Sequence, residues 1–407
     1  MTGKRNPALD SLRACAVLGV IAFHHQWGLP GGFLGVDLFF VLSGFVITRL
    51  LLREHATTGR VRLGRFWLRR AKRLLPALLA VLIGVHLWLA DDEFPALRTT
   101  TDGQTLAALA DVANWYALHG HVDYWSVGRD AAPLAHLWSL SVEEQFYLLW
   151  PPVLVLLLLI ANTRWPTALR GPWAATAFCV AGACVSYVLA VVLFDPAAPD
   201  RSYLGTDTRS GALLLGAAVA LAPHRLPRRA APALGAAAAL GLAAIWGVAR
   251  LGQAALPHWQ LPLAGCAAAL LIAALDRPTA LHRALDRGPL RALPALGRVS
   301  YSLYLWHWPV WVFLTLESPE ILGGSGILGS PGLTLAVRGA LAFALSLALA
   351  CVMYKAVEKP LRYTVLRPLV LLSWLAVASL SLVAYTLVTA PATVQRESGG
   401  PLVSGPG

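Results

Sequence analysis

Long apolar runs return about every 25–40 positions along this chain, as at 77–90, 153–161 and 369–390. Such runs suit helices that satisfy their own backbone groups inside lipid, where no water is available to do so. Of the 407 residues, 57% are hydrophobic and only 13% charged, against roughly 25% charged in a soluble domain. That balance excludes a soluble enzyme, a disulfide-stapled secreted domain and a disordered chain. The expected fold class is all-α, a polytopic membrane protein built as a bundle of about 10–11 transmembrane helices.

A spanning helix needs about 20 predominantly apolar residues. Eleven segments approach that length: 8–28, 33–53, 74–90, 145–161, 173–194, 203–222, 233–250, 257–275, 297–316, 333–355 and 367–390. The formal charge of +12 invites a nucleic-acid reading, and the placement of the charges decides against it. Threaded with Lys4 and Arg5 in the cytoplasm, the cytoplasmic connections collect 24 of the 33 basic residues, nine of them within 49–73. The opposite connections hold only Arg98, Arg129, Arg201, Arg250 and Arg396, and 91–133 carries seven acids. Basic loops are retained in the cytoplasm, so this alternation is the mark of a multi-pass plasma-membrane protein with a cytoplasmic N-terminus. The stretch 391–407, rich in Pro, Gly and Ser, is expected to be a disordered extracytoplasmic tail. Cys15, Cys179, Cys184, Cys266 and Cys351 form no metal-type spacing, so packing roles and no metal site are expected. No apolar segment precedes Leu12-Arg13-Ala14-Cys15, so neither lipidation there nor a cleaved leader is expected.

Ionisable groups at membrane depth cost at least ~2.5–3.5 kcal/mol each, so they face the bundle interior and mark function. In the first segment Arg13 and His24 are eleven residues apart. At 100° and 1.5 Å per residue they share one face, about 16 Å apart along the axis. Snorkelling of Arg13 and a structural bond for His24 are the bland alternatives. Asp37 follows the turn Gly28-Leu29-Pro30-Gly31-Gly32 and lies about as deep as His24. The expectation is an Asp37 carboxylate fixing the tautomer of His24, as a general base requires; Asp37 as a backbone cap is the alternative. Arg69, Arg70, Lys72 and Arg73 stand just before an apolar run and read either as a lipid anchor or as a phosphate clamp. His136, Glu143 and Glu144 lead into the fourth segment and read as an acceptor-binding vestibule in preference to a solvated helix start. Arg209, Tyr301, Tyr304 and His307 add intramembrane polarity, Tyr304 and His307 sharing a face, with structural hydrogen bonding as the alternative.

Several of these stretches resemble blocks of acyltransferase family 3, the integral-membrane acyltransferases of surface glycans and some natural products. Arg13 and His24 match the family's Arg-x10-His pattern, and residues 31–45, GGFLGVDLFFVLSGF, are similar to its best-known signature. Residues 69–76, 136–147, 300–309 and Glu358-Lys359-Pro360 resemble four further blocks, in the family's order. The resemblance implies an O-acyltransferase that moves an acyl group, often acetyl, from cytoplasmic acyl-CoA to a hydroxyl. It also implies that His24 is essential and Arg13 supports it. The membrane acyltransferase domain is expected over 1–366, with an additional helix over 367–390. Many members continue into an extracytoplasmic SGNH hydrolase-like domain; none is expected here, which leaves a surface glycan or a small metabolite such as a macrolide as acceptor.

The mechanism expected from these residues places the donor phosphates on Arg69, Arg70, Arg73 and Arg13. The thioester is threaded to His24, and His136, Glu143, Glu144, Tyr304 and His307 receive the acceptor. Tyr304, Ser43 or Arg13 is the oxyanion donor; direct transfer and an acyl-histidine intermediate both remain open. No bound cofactor is expected, only acyl-CoA as co-substrate. A transporter or flippase using the same polar core is the rival, and a sensor without turnover a third reading.

Overall fold

The structure is a computed structural model that describes residues 6–91, 93–121, 131–161, 172–223, 226–250, 253, 255–276, 280–285, 287–322, 331–363 and 368–389. The helices in chain order are α1 (Pro7–His24), α2 (Gly35–Thr58), α3 (Leu63–Trp88), α4 (Pro95–Leu109), α5 (Ala113–Tyr116), α6 (Trp138–Ala161), α7 (Pro172–Val192) and α8 (Asp200–Leu204). They continue as α9 (Thr206–Leu221), α10 (Ala231–Val248), α11 (Leu261–Leu275), α12 (Ala280–Leu285), α13 (Ala292–Leu322), α14 (Pro331–Met353), α15 (Lys359–Tyr363) and α16 (Pro368–Thr389). No strand occurs among the described residues. Eight helical stretches among them are long and apolar enough to cross a membrane, so the fold is that of an all-α polytopic membrane protein. The expected tail over 391–407, and the charges at Lys4, Arg5, Arg129, Arg164, Arg170, Arg225, Arg277, Arg367 and Arg396, lie outside the described residues.

Several segment boundaries move. The sixth candidate, 203–222, is divided by an extended Gly205 into α8 and the 16-residue α9. Helix α3 begins at Leu63, so Arg69–Arg73 lie within a helix and not before one. Its Pro76 is carried in the interior, where neighbouring helices can offset the lost backbone bond. Helix α6 starts at Trp138, earlier than the fourth candidate segment, and takes in Glu143 and Glu144. The acidic connection contains a helix, α4, that carries too little apolar sequence to be noticed as a segment.

Helix α1 has a firm start. The Asn6 side chain accepts from the amides of Ala8 (3.0 Å) and Leu9 (3.3 Å) and donates to the Leu275 carbonyl of α11 (3.2 Å), and Pro7 occupies the first turn, where its missing N–H costs nothing. From there α1 packs on α2 and α13. The crossings are close because glycine meets backbone. A Cβ at Gly297 would come within 1.7 Å of the Asp10 carbonyl, and one at Gly44 or Gly216 within 1.9 or 2.0 Å of the carbonyls of Leu213 or Val41. Small residues of this kind let membrane helices approach. They lock α2 to α9 and α1 to α13. One apolar core joins α1, α2, α6, α9, α10 and α11; another joins α3, α4 and α13. The functional residues collect along the seam between them.

Candidate functional site

His24 is the last residue of α1. The chain then turns sharply, with Gln26 at φ 57°, and Gly32 passes so close to the Gly19 carbonyl that a Cβ would lie 2.1 Å from it. His24 Nδ1 is 2.9 Å from His307 Nε2 on α13, the two rings nearly parallel at 4°. His307 Nδ1 is 2.5 Å from the carbonyl of Tyr304, one turn back on the same helix. Trp308 lies against His24, ring centroids 4.6 Å apart. His136 stands edge-on to His307 at 5.4 Å, and its Nε2 donates to the Leu305 carbonyl at 3.2 Å. The Tyr304 hydroxyl donates to the His136 carbonyl at 2.8 Å and lies 2.6 Å from Ser139 Oγ. Four of the expected residues, His24, His136, Tyr304 and His307, thus form one buried cluster.

Asp37 does not belong to that cluster. Its carboxylate accepts from the Arg209 guanidinium at 2.9 Å, the two side chains only 2% and 1% exposed. The rings of Tyr203, Phe40 and Trp138 surround the guanidinium, with centroids 4.7, 5.8 and 5.8 Å away. The expected Asp37–His24 pair is therefore corrected. A buried anion and a buried cation on neighbouring helices neutralise each other, because each is otherwise uncompensated in low dielectric.

Towards the other end of α1 a cavity opens between α1, α2, α3, α6 and α13, with about 760 Å³ of unfilled space counting its mouth. Three cations line it: Arg13, Arg70 and Arg73. Arg13 is paired with Asp10 at 2.9 Å. Arg70 lies over the Tyr147 and Phe66 rings at 5.0 and 5.5 Å. Arg73 makes no ion pair among the described residues. Ser43 and Tyr147 also line the cavity and both donate to Glu143; their hydroxyls are 2.7 Å apart. Arg69, one residue and 100° round the helix from Arg70, turns away, is 46% exposed and pairs with Glu54 at 3.2 Å. It leaves the expected clamp, which keeps Arg70, Arg73 and Arg13.

Glu144 faces a second cavity, shared with Asp111 at the α4–α5 turn and bordered by the same Arg70, Tyr147 and Tyr301. Glu143 and Glu144 thus serve different spaces, as adjacent helical residues must. Burial pushes the Asp111 carboxyl up to about 6. An acid raised in the folded state stabilises the protein below its unfolded value and loses that contribution as pH climbs through the folded value. Asp111→Asn, tolerated at φ 56°, is expected to raise the melting temperature at pH 7 and to flatten its decline between about pH 4 and 6, read by thermal shift across that range.

The first cavity does not reach the imidazoles. Tyr304 lines its far end and its ring stands 5.2 Å from that of His307, so it separates the cationic space from the His307–His24 pair. The expected direct threading to His24 needs this ring to move. Sequence reasoning also missed the Arg209 cage, the Ser43–Glu143–Tyr147 network and the bond from Ser302 to Glu358. Only the first had a signal: Arg209 and Asp37 are opposite charges within apolar segments. Among the described residues no group of three or more His, Cys, Asp and Glu side chains is placed to hold a metal ion.

A model of the acyltransferase domain matches residues 6–355, nearly all of the chain. The chain belongs to this acyltransferase family. Every member of the imidazole cluster and all three cavity arginines fall within the acyltransferase match. The chain is 35% identical over 322 residues to the putative peptidoglycan O-acetyltransferase YrhL of Bacillus subtilis, covering 76% of this chain and 49% of that protein. It is 34% identical over 329 residues to the peptidoglycan O-acetyltransferase OatA of Listeria monocytogenes, covering 77% and 50%. A putative O-acetyltransferase of Staphylococcus aureus is 35% identical over 323 residues, covering 76% and 51%. The chain spans about half the length of these curated relatives. No solved structure matches it.

Proposed function

We propose that this chain is an integral-membrane O-acyltransferase that moves an acetyl group from cytoplasmic acyl-CoA to a hydroxyl of a cell-surface glycan, with His24 as general base. The observation that carries the reading is the arrangement along α1. One end offers Arg13 to a cavity also lined by Arg70 and Arg73, and the other ends on a buried imidazole, about 16 Å away along the axis. With the N-terminus cytoplasmic, as the distribution of basic residues favours, the arginines meet the donor phosphates through charge-assisted forks. The pantetheine arm runs along α1 and displaces the Tyr304 ring, and the thioester reaches His24. His24 takes the proton of the acceptor hydroxyl as its oxygen bonds to the thioester carbon. The C–S bond then breaks, and the CoA thiolate leaves with the proton returned from His24. The glycan acceptor rests on the names of the relatives, two of which are called peptidoglycan O-acetyltransferases.

Membranes holding the protein, fed radiolabelled acetyl-CoA and purified peptidoglycan, are expected to label the glycan. No transfer to glycan or small alcohols from any acyl-CoA, by protein shown to be folded, sinks the assignment; glycan movement without acyl transfer supports a flippase instead. Arg73 isolates the donor site. Losing one charge-assisted bond costs ~1.5–3 kcal/mol, so Arg73→Gln is expected to raise the acetyl-CoA KM by about 10–100-fold with kcat little changed. An unchanged KM removes Arg73 from the clamp.

A further inference from the structure

We infer that His307 is a positioning residue that fixes the tautomer of His24, so that the base is His24 Nε2. The inference rests on His24 acting as the base, and adds which nitrogen reacts and what holds it.

The direction of each bond follows from one group that can only accept. His307 Nδ1 sits 2.5 Å from the Tyr304 carbonyl, so Nδ1 carries the hydrogen. A neutral imidazole then has its lone pair on Nε2. That Nε2 lies 2.9 Å from His24 Nδ1, so His24 Nδ1 is the donor and the His24 lone pair is on Nε2. The chain runs from carbonyl to His307 to His24 with every donor matched to an acceptor. The Tyr304 carbonyl has a second lone pair for the ordinary helical amide four residues on. Being part of α13's backbone, it cannot rotate away.

The rest of the cluster holds these rings still. His136 stands edge-on to His307 at 5.4 Å, and Trp308 covers His24 at 4.6 Å. The Asp37 carboxylate is engaged by Arg209, so it is not the group that orients His24. When His24 takes a proton at Nε2, the positive ring still donates from Nδ1 to the His307 lone pair. At Nδ1 the charge is met by a neutral acceptor, the His307 imidazole.

The test uses three neutral replacements in the full-length protein, assayed for acetyl transfer from acetyl-CoA. In His307→Gln the amide oxygen reaches about as far as Nε2 and accepts from His24 Nδ1. In His307→Asn the oxygen falls short, and His307→Leu has none. Gln is expected to keep kcat within about tenfold of wild type, while Asn and Leu lose ~10²–10⁴-fold, all with unchanged acetyl-CoA KM. A purely structural role predicts losses that follow side-chain volume instead. Nitrogen-15 NMR of labelled histidine gives an independent reading, with His24 expected as the Nδ1–H form in wild type and as a tautomer mixture in the folded Leu variant. Equal kcat in the Gln and Leu variants, or a His24 proton on Nε2 in wild type, overturns the inference and leaves the general-base reading standing. Absence of transfer by folded wild-type protein overturns both.

Discussion

His24→Ala is expected to lower kcat for acetyl transfer by ~10²–10⁴-fold, the usual worth of a positioned general base, while the acetyl-CoA KM stays near wild type. The separation follows from geometry. His24 is at one end of α1, and the cavity lined by Arg13, Arg70 and Arg73 is towards the other. The imidazole touches His307 and Trp308 and does not line the cationic space, so removing it leaves the donor's charge contacts intact. Truncating a side chain only 8% exposed leaves a small void at a helix end, where the chain is already turning. Initial-rate kinetics over acetyl-CoA concentration, on protein whose thermal shift matches wild type, separates the two parameters. A folded variant that retains wild-type kcat removes His24 from the chemistry. One with a greatly raised KM and intact kcat makes it a binding residue.

Arg209→Leu and Asp37→Leu are each expected to destabilise the fold severely. Either change leaves the other member of a buried pair uncompensated, at ~3–5 kcal/mol, against a total stability of only ~5–15 kcal/mol for a typical domain. Asp37 is at the start of α2 and Arg209 in the first turn of α9, beside the crossing where Gly44 and Gly216 bring those backbones together. A stranded charge there strains the crossing that places α2 against α1. The double variant Asp37→Leu with Arg209→Met removes both charges and is expected to recover folded yield, since a buried ion pair replaced by apolar groups is often neutral or stabilising. It is also expected to recover acetyl transfer, because Asp37 does not touch His24. Monodisperse yield in detergent and labelled-acetyl transfer report the two effects. A well-folded double variant without activity returns Asp37 to the catalytic machinery.

The composition and the spacing of apolar runs were enough for a helical membrane protein, because lipid imposes one requirement, internal backbone satisfaction, that is met locally within each segment. The depth of Arg13 and His24 and their common face also follow from a single helix's geometry. Where partners lie on different helices, sequence order carries no distance. Asp37, expected at the depth of His24, pairs with Arg209, 172 residues on, because charge finds its nearest opposite charge across α2 and α9. His307 comes to His24 across 283 residues, through the close passage of α13's Gly297 over the Asp10 backbone. Arg69 and Arg70 are neighbours that part company, since 100° of helix turn sends one to Glu54 and the other into the cavity. Residue types and their heights in the bilayer are thus written along the chain. Which imidazole, carboxylate or guanidinium meets which was settled by helix crossings, because only packing sets the rotation and approach of one helix against another.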